Sequence, residues 1–419
     1  MIILIESILI LSYMLNDSIG MFLMLLITTK KALDVKKNGQ LINCIFELLI
    51  MSLPVAYIGI AGLSMHQLFS WYNLFLIVFL FAFGNCFSYR IPFSKNTILS
   101  ITVIVGCLII NLLWAEEIGN SLAEISQILI MLIPIIVVHS ARNKFPIKKN
   151  DVIKLLRLYA DVCVATAIGM LVQYGLYTFA HRQVGIIQFT GASRVAFFGL
   201  FRGASILQIY MGVGILYFYI ECFENKVTIT VIMKIAVLFI ASILNTSRTA
   251  IFTIFLVMAL IYLKQLFKAP SLKGGLLAVA GGTSIYLAID YIMSLRSKLS
   301  GFLDLNGRMI TWRNGLDIWG ANVKNILLGE GFTGGRWQGI TKPHNMIIQT
   351  LSQCGIIVTV IILCMILKYL FDNKKNKYIY IAIYIIASGM LVTDFYANAF
   401  TTVVFILIDL ASATSNREA

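Results

Sequence analysis

Long, uninterrupted apolar runs divide the sequence, and they constrain the fold more than any other feature. Most are close to the roughly 20 apolar residues that a membrane-spanning helix needs. Hydrophobic types make up 59% of the 419 residues and charged types only 12%, against about 45–50% and 25% in soluble domains. No soluble core holds that much apolar surface. The composition therefore excludes a cytosolic enzyme, a secreted domain and a disordered chain, and predicts an all-α polytopic membrane protein.

The runs predict about 13 transmembrane helices, within a range of about 12–14. The first run contains Glu6, Asn16 and Asp17, so it forms either one long helix or a broken pair. The predicted spans lie near residues 1–29, 42–63, 70–88, 97–114, 122–141, 158–180, 204–222, 227–245, 249–265, 275–293, 345–368, 378–393 and 397–412. They form a single membrane domain over residues 1–419, which contains one large external loop at 294–343.

The positive charges indicate the orientation. If the basic segment 30–41 faces the cytoplasm, alternation places 21 of the 33 Lys and Arg residues in seven cytoplasmic segments. This is the positive-inside rule, so the net charge of +14 requires no nucleic-acid partner. Eleven cations fall outside, most of them in the large loop. Lys234 lies within a span, where it either has a function or snorkels to the cytoplasmic end.

The large loop is the most informative segment, because long loops in compact proteins usually carry function. Met309, Trp312, Leu316 and Trp319 recur at spacings of 3, 4 and 3 residues, which is one face of a helix. The stripe predicts a helix in the outer membrane interface, with its tryptophans at headgroup depth, or a lid helix packed on the bundle.

One histidine stands at the border between this loop and the next span. His344 follows Pro343 and precedes Asn345. In this position a histidine can act as a general base near neutral pH. The alternative is that His344 and Asn345 only cap the helix.

Several arginines lie at outer helix ends. Arg248 sits in a tight hairpin between two apolar runs, where its guanidinium either grips a phosphate or snorkels to lipid headgroups. Arg194 and Arg202 flank an aromatic segment, and each meets an anion or belongs to a plain re-entrant connection. Asp394 and Tyr396 lie near an outer helix end, in reach of sugar hydroxyls or of the arginines. The chain lacks a Walker loop and an HExxH motif, which argues against an ATP-driven pump and a zinc protease.

In their order and spacing these features resemble the O-antigen polymerase and O-antigen ligase superfamily of bacterial envelope glycosyltransferases. The resemblance covers roughly residues 190–370. It is carried by the arginine loop from Arg194 to Gly203, the Ser247-Arg248 pair, the loop motifs Gly307-Arg308 to Trp312 and Gly329-Glu330-Gly331, and Pro343-His344-Asn345 followed by Gln353-Cys354-Gly355-Ile356.

The resemblance implies a GT-C-like fold and a metal-independent, inverting glycosyl transfer without a cofactor. The implied donor is an undecaprenyl-pyrophosphate-linked oligosaccharide on the periplasmic face of the bacterial inner membrane, and a chain-length regulator is a further partner by analogy. His344 becomes the catalytic base. Arg248, Arg194, Arg202 and Arg308 become pyrophosphate ligands, and Asn345, Trp312, Asp394 and Tyr396 become glycan contacts. Many relatives have an acidic residue and a proline where this chain has Arg202-Gly203, so the choice between Arg194 and Arg202 stays open.

Polymerase is expected rather than ligase, because polymerases are the more numerous class. A ligase would transfer the glycan to lipid A-core instead of to another lipid-linked repeat unit. A flippase for lipid-linked oligosaccharides is the rival from another class. It would more often show internal repeats, short loops and cations along its spans, and this sequence shows no internal repeat. In a merely structural membrane component, replacing His344 or Arg248 would leave the phenotype intact.

Overall fold

The computed structural model describes residues 1–38, 40–60, 69–88, 90–190, 194–224, 227–245, 248–268, 308–392 and 398–418. The predicted span 275–293 lies outside the described residues. The helices are α1 (Ile2–Leu15), α2 (Asp17–Asn38), α3 (Leu41–Met51), α4 (Trp71–Cys86), α5 (Lys95–Ile110), α6 (Ile118–Ala141), α7 (Lys149–Ala180), α8 (Ala204–Glu224), α9 (Ile229–Asn245), α10 (Arg248–Lys268), α11 (Arg308–Gly320), α12 (Val323–Leu328), α13 (Met346–Asp372), α14 (Ile379–Gly389) and α15 (Ala399–Glu418). Strands β1 (Ile187–Thr190) and β2 (Arg194–Phe197) form an antiparallel hairpin.

The helices confirm the prediction of an all-α membrane protein. Within the described residues, five helices are long and apolar enough to cross a membrane. They are Lys95–Trp114, which includes a terminal 3₁₀ turn, Ile118–Ala141, Lys149–Ala180, Ala204–Glu224 and Met346–Asp372. Shorter apolar helices accompany them, among them Ile2–Leu15, Trp71–Cys86 and Ile229–Asn245.

The first predicted run is a broken pair of helices. Asn16 separates α1 from α2 with an extended backbone, at φ −163° and ψ 121°. Its side-chain oxygen accepts hydrogen bonds from the backbone N–H groups of Ser18, at 2.8 Å, and Ile19, at 3.3 Å. The side chain thus satisfies two of the N–H groups that a helix start leaves unpaired.

Helix α7 is the centre of the bundle. Every residue from Val162 to Ala167 is buried, and α7 packs against α1, α3, α8, α9 and α15. A helix that is apolar on all sides can be covered either by other helices or by lipid. Other helices cover most of α7, whereas only a small share of α5 is buried by the rest of the protein.

Polar contacts gather at the two ends of the bundle. At the first, here named the Arg142 end, Arg142 pairs with Asp409 and with Asp372, the latter at 3.5 Å. Arg417 donates to the carbonyl of Phe145 at 2.9 Å, and Lys377 pairs with Glu221 at 3.0 Å. The other end, which carries the large loop, is named the His344 end. Segments that alternation predicts on one face of the membrane therefore meet at one end of the bundle.

Candidate functional site

Helix α11 of the large loop packs against the segment that contains His344. Gly315 allows this approach, because a Cβ at that position would lie 2.6 Å from Cγ of Pro343. The indole Nε1 of Trp312 donates to the backbone carbonyl of His344 at 3.2 Å. Arg308 is the first residue of α11, one turn before Trp312, so it lies on the same side of the helix. Arg308, Trp312 and His344 are thus neighbours in the fold.

The predicted stripe on this helix is not its buried face. Met309 is 59% exposed and Leu316 is 42% exposed, whereas Gly315 and Ile318 are buried. The indole of Trp319 donates inward, to the carbonyl of Ile326 at 3.1 Å. The helix is therefore packed on the protein, as in the lid alternative. The spacing identified the helix correctly but not its inner side, because glycine carries no hydrophobic signal.

Asn345 caps α13, as one of the two sequence alternatives stated. Its side-chain oxygen accepts from the N–H groups of Ile347, at 3.0 Å, and Ile348, at 3.1 Å. His344 stands immediately before the cap and is half-buried. The backbone of His344 is therefore fixed from two sides, by the cap that follows it and by the indole that binds its carbonyl. A glycan contact of Asn345 stays a prediction.

A cavity of about 440 Å³ opens at the His344 end. It lies between the start of α6, residue Arg202 before α8, and the loop segment 332–342. Its lining includes Glu116, Glu117, Asn120, Glu124, Gln127, Arg202, Trp337, Gln338 and Lys342. Carboxylates and amides are suited to sugar hydroxyls, and the two cations are suited to phosphate oxygens.

The two cations of this outer cavity differ in their surroundings. Lys342 forms an ion pair with Glu124, which neutralises most of its charge. Arg202 is exposed at the rim, and no described carboxylate lies within ion-pair distance of it. Arg202 is therefore the cation of this cavity that is available to an anion. Lys342 stands two residues before His344, which ties the cavity to the histidine along the chain.

The loop wall of the cavity is fastened to the start of α6. The hydroxyl of Thr333 lies 2.7 Å from that of Ser121 and accepts from the N–H of Glu117 at 3.2 Å. The side-chain amide of Gln338 donates to Glu116 at 2.7 Å. These side-chain hydrogen bonds hold this part of the loop against the start of α6.

The end of α9 and the start of α8 come together at this end. The side-chain amide of Asn245, at the end of α9, donates to the carbonyl of Ala204 at 2.6 Å. Arg202 precedes Ala204 by two residues, and Arg248 follows Asn245 by three. Strand β2, which begins at Arg194, borders α9. The segment that contains Arg202 thus lies against the end of α9, three residues before Arg248. The side chains of Arg194 and Arg248, and all of Asp394 and Tyr396, lie outside the described residues.

Gln173 is a functional neighbour that the sequence analysis missed. It is fully buried in α7 and donates to the carbonyls of Val184, at 2.6 Å, and Ile186, at 3.1 Å. Its side-chain oxygen accepts from the N–H of Gly199 at 3.0 Å. One amide thus holds both sides of the β-hairpin that leads to Arg202. A glutamine inside an apolar run was the available signal.

Two of the short motifs bind each other. Helix α13 is interrupted at Gly355, which has φ 73° and ψ 178°. The N–H groups of Glu330 and Gly331 donate to the carbonyls of Ser352, at 2.8 Å, and Gln353, at 3.0 Å. The loop motif therefore supplies donors to carbonyls beside the helix break, which a membrane core would otherwise leave unpaired.

The side chain of Glu330 holds the same loop together from inside. It is 7% exposed and accepts from the amide of Asn325 at 2.8 Å. Lys324 pairs with it at 3.4 Å, and Arg336 pairs with it at 3.9 Å. Two of the loop's cations are therefore committed to Glu330. They stabilise the loop and are not free to bind a substrate.

Lys234 has a partner inside the bundle. Its ammonium group donates to Asp161 of α7 at 2.5 Å and lies over the ring of Phe218, 5.1 Å from the centroid. An ion pair between neighbouring helices satisfies a charge that would be costly if it were left alone. Snorkelling is therefore not needed to explain Lys234, and nothing connects it with the outer cavity.

No model of a known protein family matches this chain, and no curated protein matches it. Function is therefore argued from the site. At the His344 end, Arg202 and Lys342 line a cavity together with carboxylates and amides, and His344 follows Lys342 by two residues without lining that cavity. Such an arrangement can bind a sugar-phosphate compound and accept a proton from a hydroxyl group.

Proposed function

We propose that this chain is a polysaccharide polymerase of the bacterial cytoplasmic membrane. In this proposal, a growing glycan is transferred from undecaprenyl pyrophosphate to a lipid-linked repeat unit on the outer face of the membrane. The proposal includes a GT-C-like fold with about 13 spans. The observation that carries the proposal is the outer cavity, which has Arg202 at its rim and Lys342 two residues before His344.

The proposed chemistry divides the site into two halves. A hydroxyl of the acceptor sugar attacks the anomeric carbon, and His344 takes its proton as the general base. The bond from the anomeric carbon to the pyrophosphate oxygen breaks. Arg202, with Arg194, Arg248 and Arg308 from the neighbouring segments, stabilises the charge on the departing undecaprenyl pyrophosphate. These cations would stabilise the charge of the leaving group, which other enzymes stabilise with a metal ion.

The carboxylates and amides of the cavity wall support a sugar as the bound group. Glu117, Asn120 and Gln127 line it, and such side chains form hydrogen bonds with hydroxyl groups. Trp312 contributes through the backbone of His344, which its indole holds. Trp312, Asp394, Tyr396 and Asn345 remain proposed glycan contacts.

The experiment is a deletion of the gene in its host, followed by gel separation of the surface polysaccharide. Complementation with wild type should restore the ladder of chain lengths, and complementation with His344→Ala should not, at an equal protein level. His181→Asn is the matched control, because His181 lies at the same end, is exposed and lines no part of the cavity. A normal ladder with His344→Ala would remove the base assignment.

The arginine is tested in the same strain. Arg202→Lys retains the charge but loses the planar guanidinium, which binds two phosphate oxygens at once. We therefore expect the amount of polymer to fall by tenfold or more, which is about the free energy of one strong charge-assisted hydrogen bond. Arg313→Lys is the control, since Arg313 is exposed on α11 and its nearest carboxylate, Asp317, is 4.0 Å away. Equal ladders from both variants would contradict the role of Arg202.

The pattern that remains in the deletion strain identifies the reaction. A single repeat unit attached to its anchor indicates a polymerase. If all attached glycan is lost while lipid-linked polymer accumulates, the chain is a ligase. An unchanged ladder would refute both and favour a transporter or a structural component.

A further inference from the structure

A second cavity, of about 460 Å³, lies between α5, α6, α13 and α15. Its walls are mainly apolar, and they include Met131, Leu132, Ile135, Ile361 and Phe405. Helix α5 forms one of its walls, and little of α5 is buried by the rest of the protein. We name this cavity the α5 crevice. A hydrocarbon chain from the surrounding bilayer would meet walls of its own polarity there.

The polar residues of the α5 crevice gather at its mouth, at the Arg142 end. Ser94, Thr97, Ser140 and Lys368 line this part. Lys368 is exposed, and no described carboxylate lies within ion-pair distance of it. Lys95, which begins α5 beside Ser94, is also exposed. A helix start carries a partial positive charge, so the mouth combines Lys368 with a favourable helix terminus, and Lys95 lies beside it in sequence.

The acidic groups near the mouth already have partners. His139 lines the crevice and contacts Asp372 at 3.2 Å and Asp409 at 3.1 Å. Both carboxylates are also held by Arg142. None of the side chains that line the crevice within the described ranges is acidic. Among the side chains that line the crevice, Lys368 is therefore the cation that is available to an anion.

We propose that the α5 crevice binds an anionic phospholipid, with its phosphate at Lys368 and the start of α5 and an acyl chain along the apolar walls. The lysine at the mouth favours an anionic headgroup, and the apolar walls favour a hydrocarbon chain. The crevice extends to Met346, the residue after Asn345, so the acyl chain reaches the helix that the candidate histidine precedes.

The position of the mouth distinguishes this ligand from the proposed glycan donor. Arg202 and Lys342 lie at the His344 end, where the pyrophosphate of a donor would bind. Lys368 and Ser94 lie at the opposite end of the bundle, beside the cluster of His139 and Arg142. A lipid with its phosphate at Lys368 therefore belongs to the other leaflet.

Binding is tested with the purified full-length chain in detergent, without any glycan substrate. Phosphatidylglycerol and phosphatidylcholine with identical acyl chains are added in turn, and bound lipid is measured by native mass spectrometry. We expect wild type to retain phosphatidylglycerol preferentially. Lys368→Gln should bind it about fivefold more weakly, which is the effect of one lysine near an anionic surface. Lys375→Gln is the control, an exposed lysine at the same end that does not line the crevice.

A second measurement locates the acyl chain without relying on a substitution. Cys364 lines the crevice, whereas Cys86, which is also exposed, does not. Phosphatidylglycerol should slow the alkylation of Cys364 by a membrane-permeant maleimide and leave Cys86 unchanged. Equal binding of the two lipids, or unchanged binding by Lys368→Gln, would overturn the headgroup site. Equal protection of both cysteines would overturn the location of the chain.

Discussion

The interruption of α13 depends on one glycine, and Gly355→Ala tests it. Gly355 has φ 73° and ψ 178°, in a region that only glycine enters without strain. A Cβ there would lie 2.3 Å from the carbonyl oxygen of Leu327 and 2.4 Å from the nitrogen of Leu328. Both atoms belong to the backbone of α12, so no side-chain rotation can make room.

Two costs add up in this variant. The backbone strain amounts to about 1–3 kcal/mol, and overpacking against a rigid neighbour costs about 1–3 kcal/mol. We therefore expect Gly355→Ala to lower the free energy of unfolding by about 2–6 kcal/mol. The loop should loosen with it, because Glu330 and Gly331 donate to carbonyls beside the break.

Reversible unfolding in mixed detergent micelles measures this difference. Gly106→Ala is the matched control, because Gly106 lies inside α5 and a Cβ there would have nothing within 4 Å. Alanine is the better helix former, so this variant should be more stable by about 0.5–1 kcal/mol. If Gly355→Ala unfolds at the same detergent fraction as wild type, α13 is not held at its break by the contact with α12.

Three further substitutions test other parts of the bundle by the same unfolding assay. Gln173→Leu removes three hydrogen bonds to the β-hairpin. We therefore expect the free energy of unfolding to fall by about 2–4 kcal/mol and proteolysis within residues 181–203 to become faster. Unchanged proteolysis would contradict the role of Gln173. Asp409→Asn leaves Arg142 without its nearest partner and should cost about 3–5 kcal/mol, whereas Asp317→Asn, at an exposed pair, should change stability by less than about 0.5 kcal/mol. Glu6 is fully buried, and neither of its carboxylate oxygens has a described hydrogen-bond partner. Glu6→Leu should therefore raise the free energy of unfolding by about 1–3 kcal/mol. A lower free energy of unfolding would indicate that Glu6 has a partner outside the described residues.

Hydropathy predicted the class of fold because the membrane imposes it on each segment separately. A span must be apolar over its whole length whatever its neighbours are, so the runs could be read one at a time. The break at Asn16 was one of two alternatives, since adjacent polar residues such as Asn16 and Asp17 are costly within a continuous span. The break at Gly355 was not predicted. It depends on α12 lying against it, and a single glycine in a run does not reveal a tertiary contact.

For the candidate site, the sequence indicated which cations to consider but not which of them have partners within the protein. Cations that depart from the positive-inside trend can be found from sequence, and Arg202 is one that the structure leaves available at a cavity. Lys324 and Arg336 depart from the trend equally, yet they pair with Glu330 and hold the loop together. Only the fold separates a cation that binds a carboxylate within the protein from one that faces a cavity.

Pro343-His344-Asn345 shows why a structural and a catalytic role need not compete. Asn345 caps α13, and this cap fixes the backbone that follows His344. Trp312 binds the carbonyl of His344, which fixes the backbone from the other side. A general base must be held close to the hydroxyl that it deprotonates, and a misplacement of about 1 Å can cost about a hundredfold in rate. The helix cap is therefore the kind of support that a catalytic histidine at this position requires.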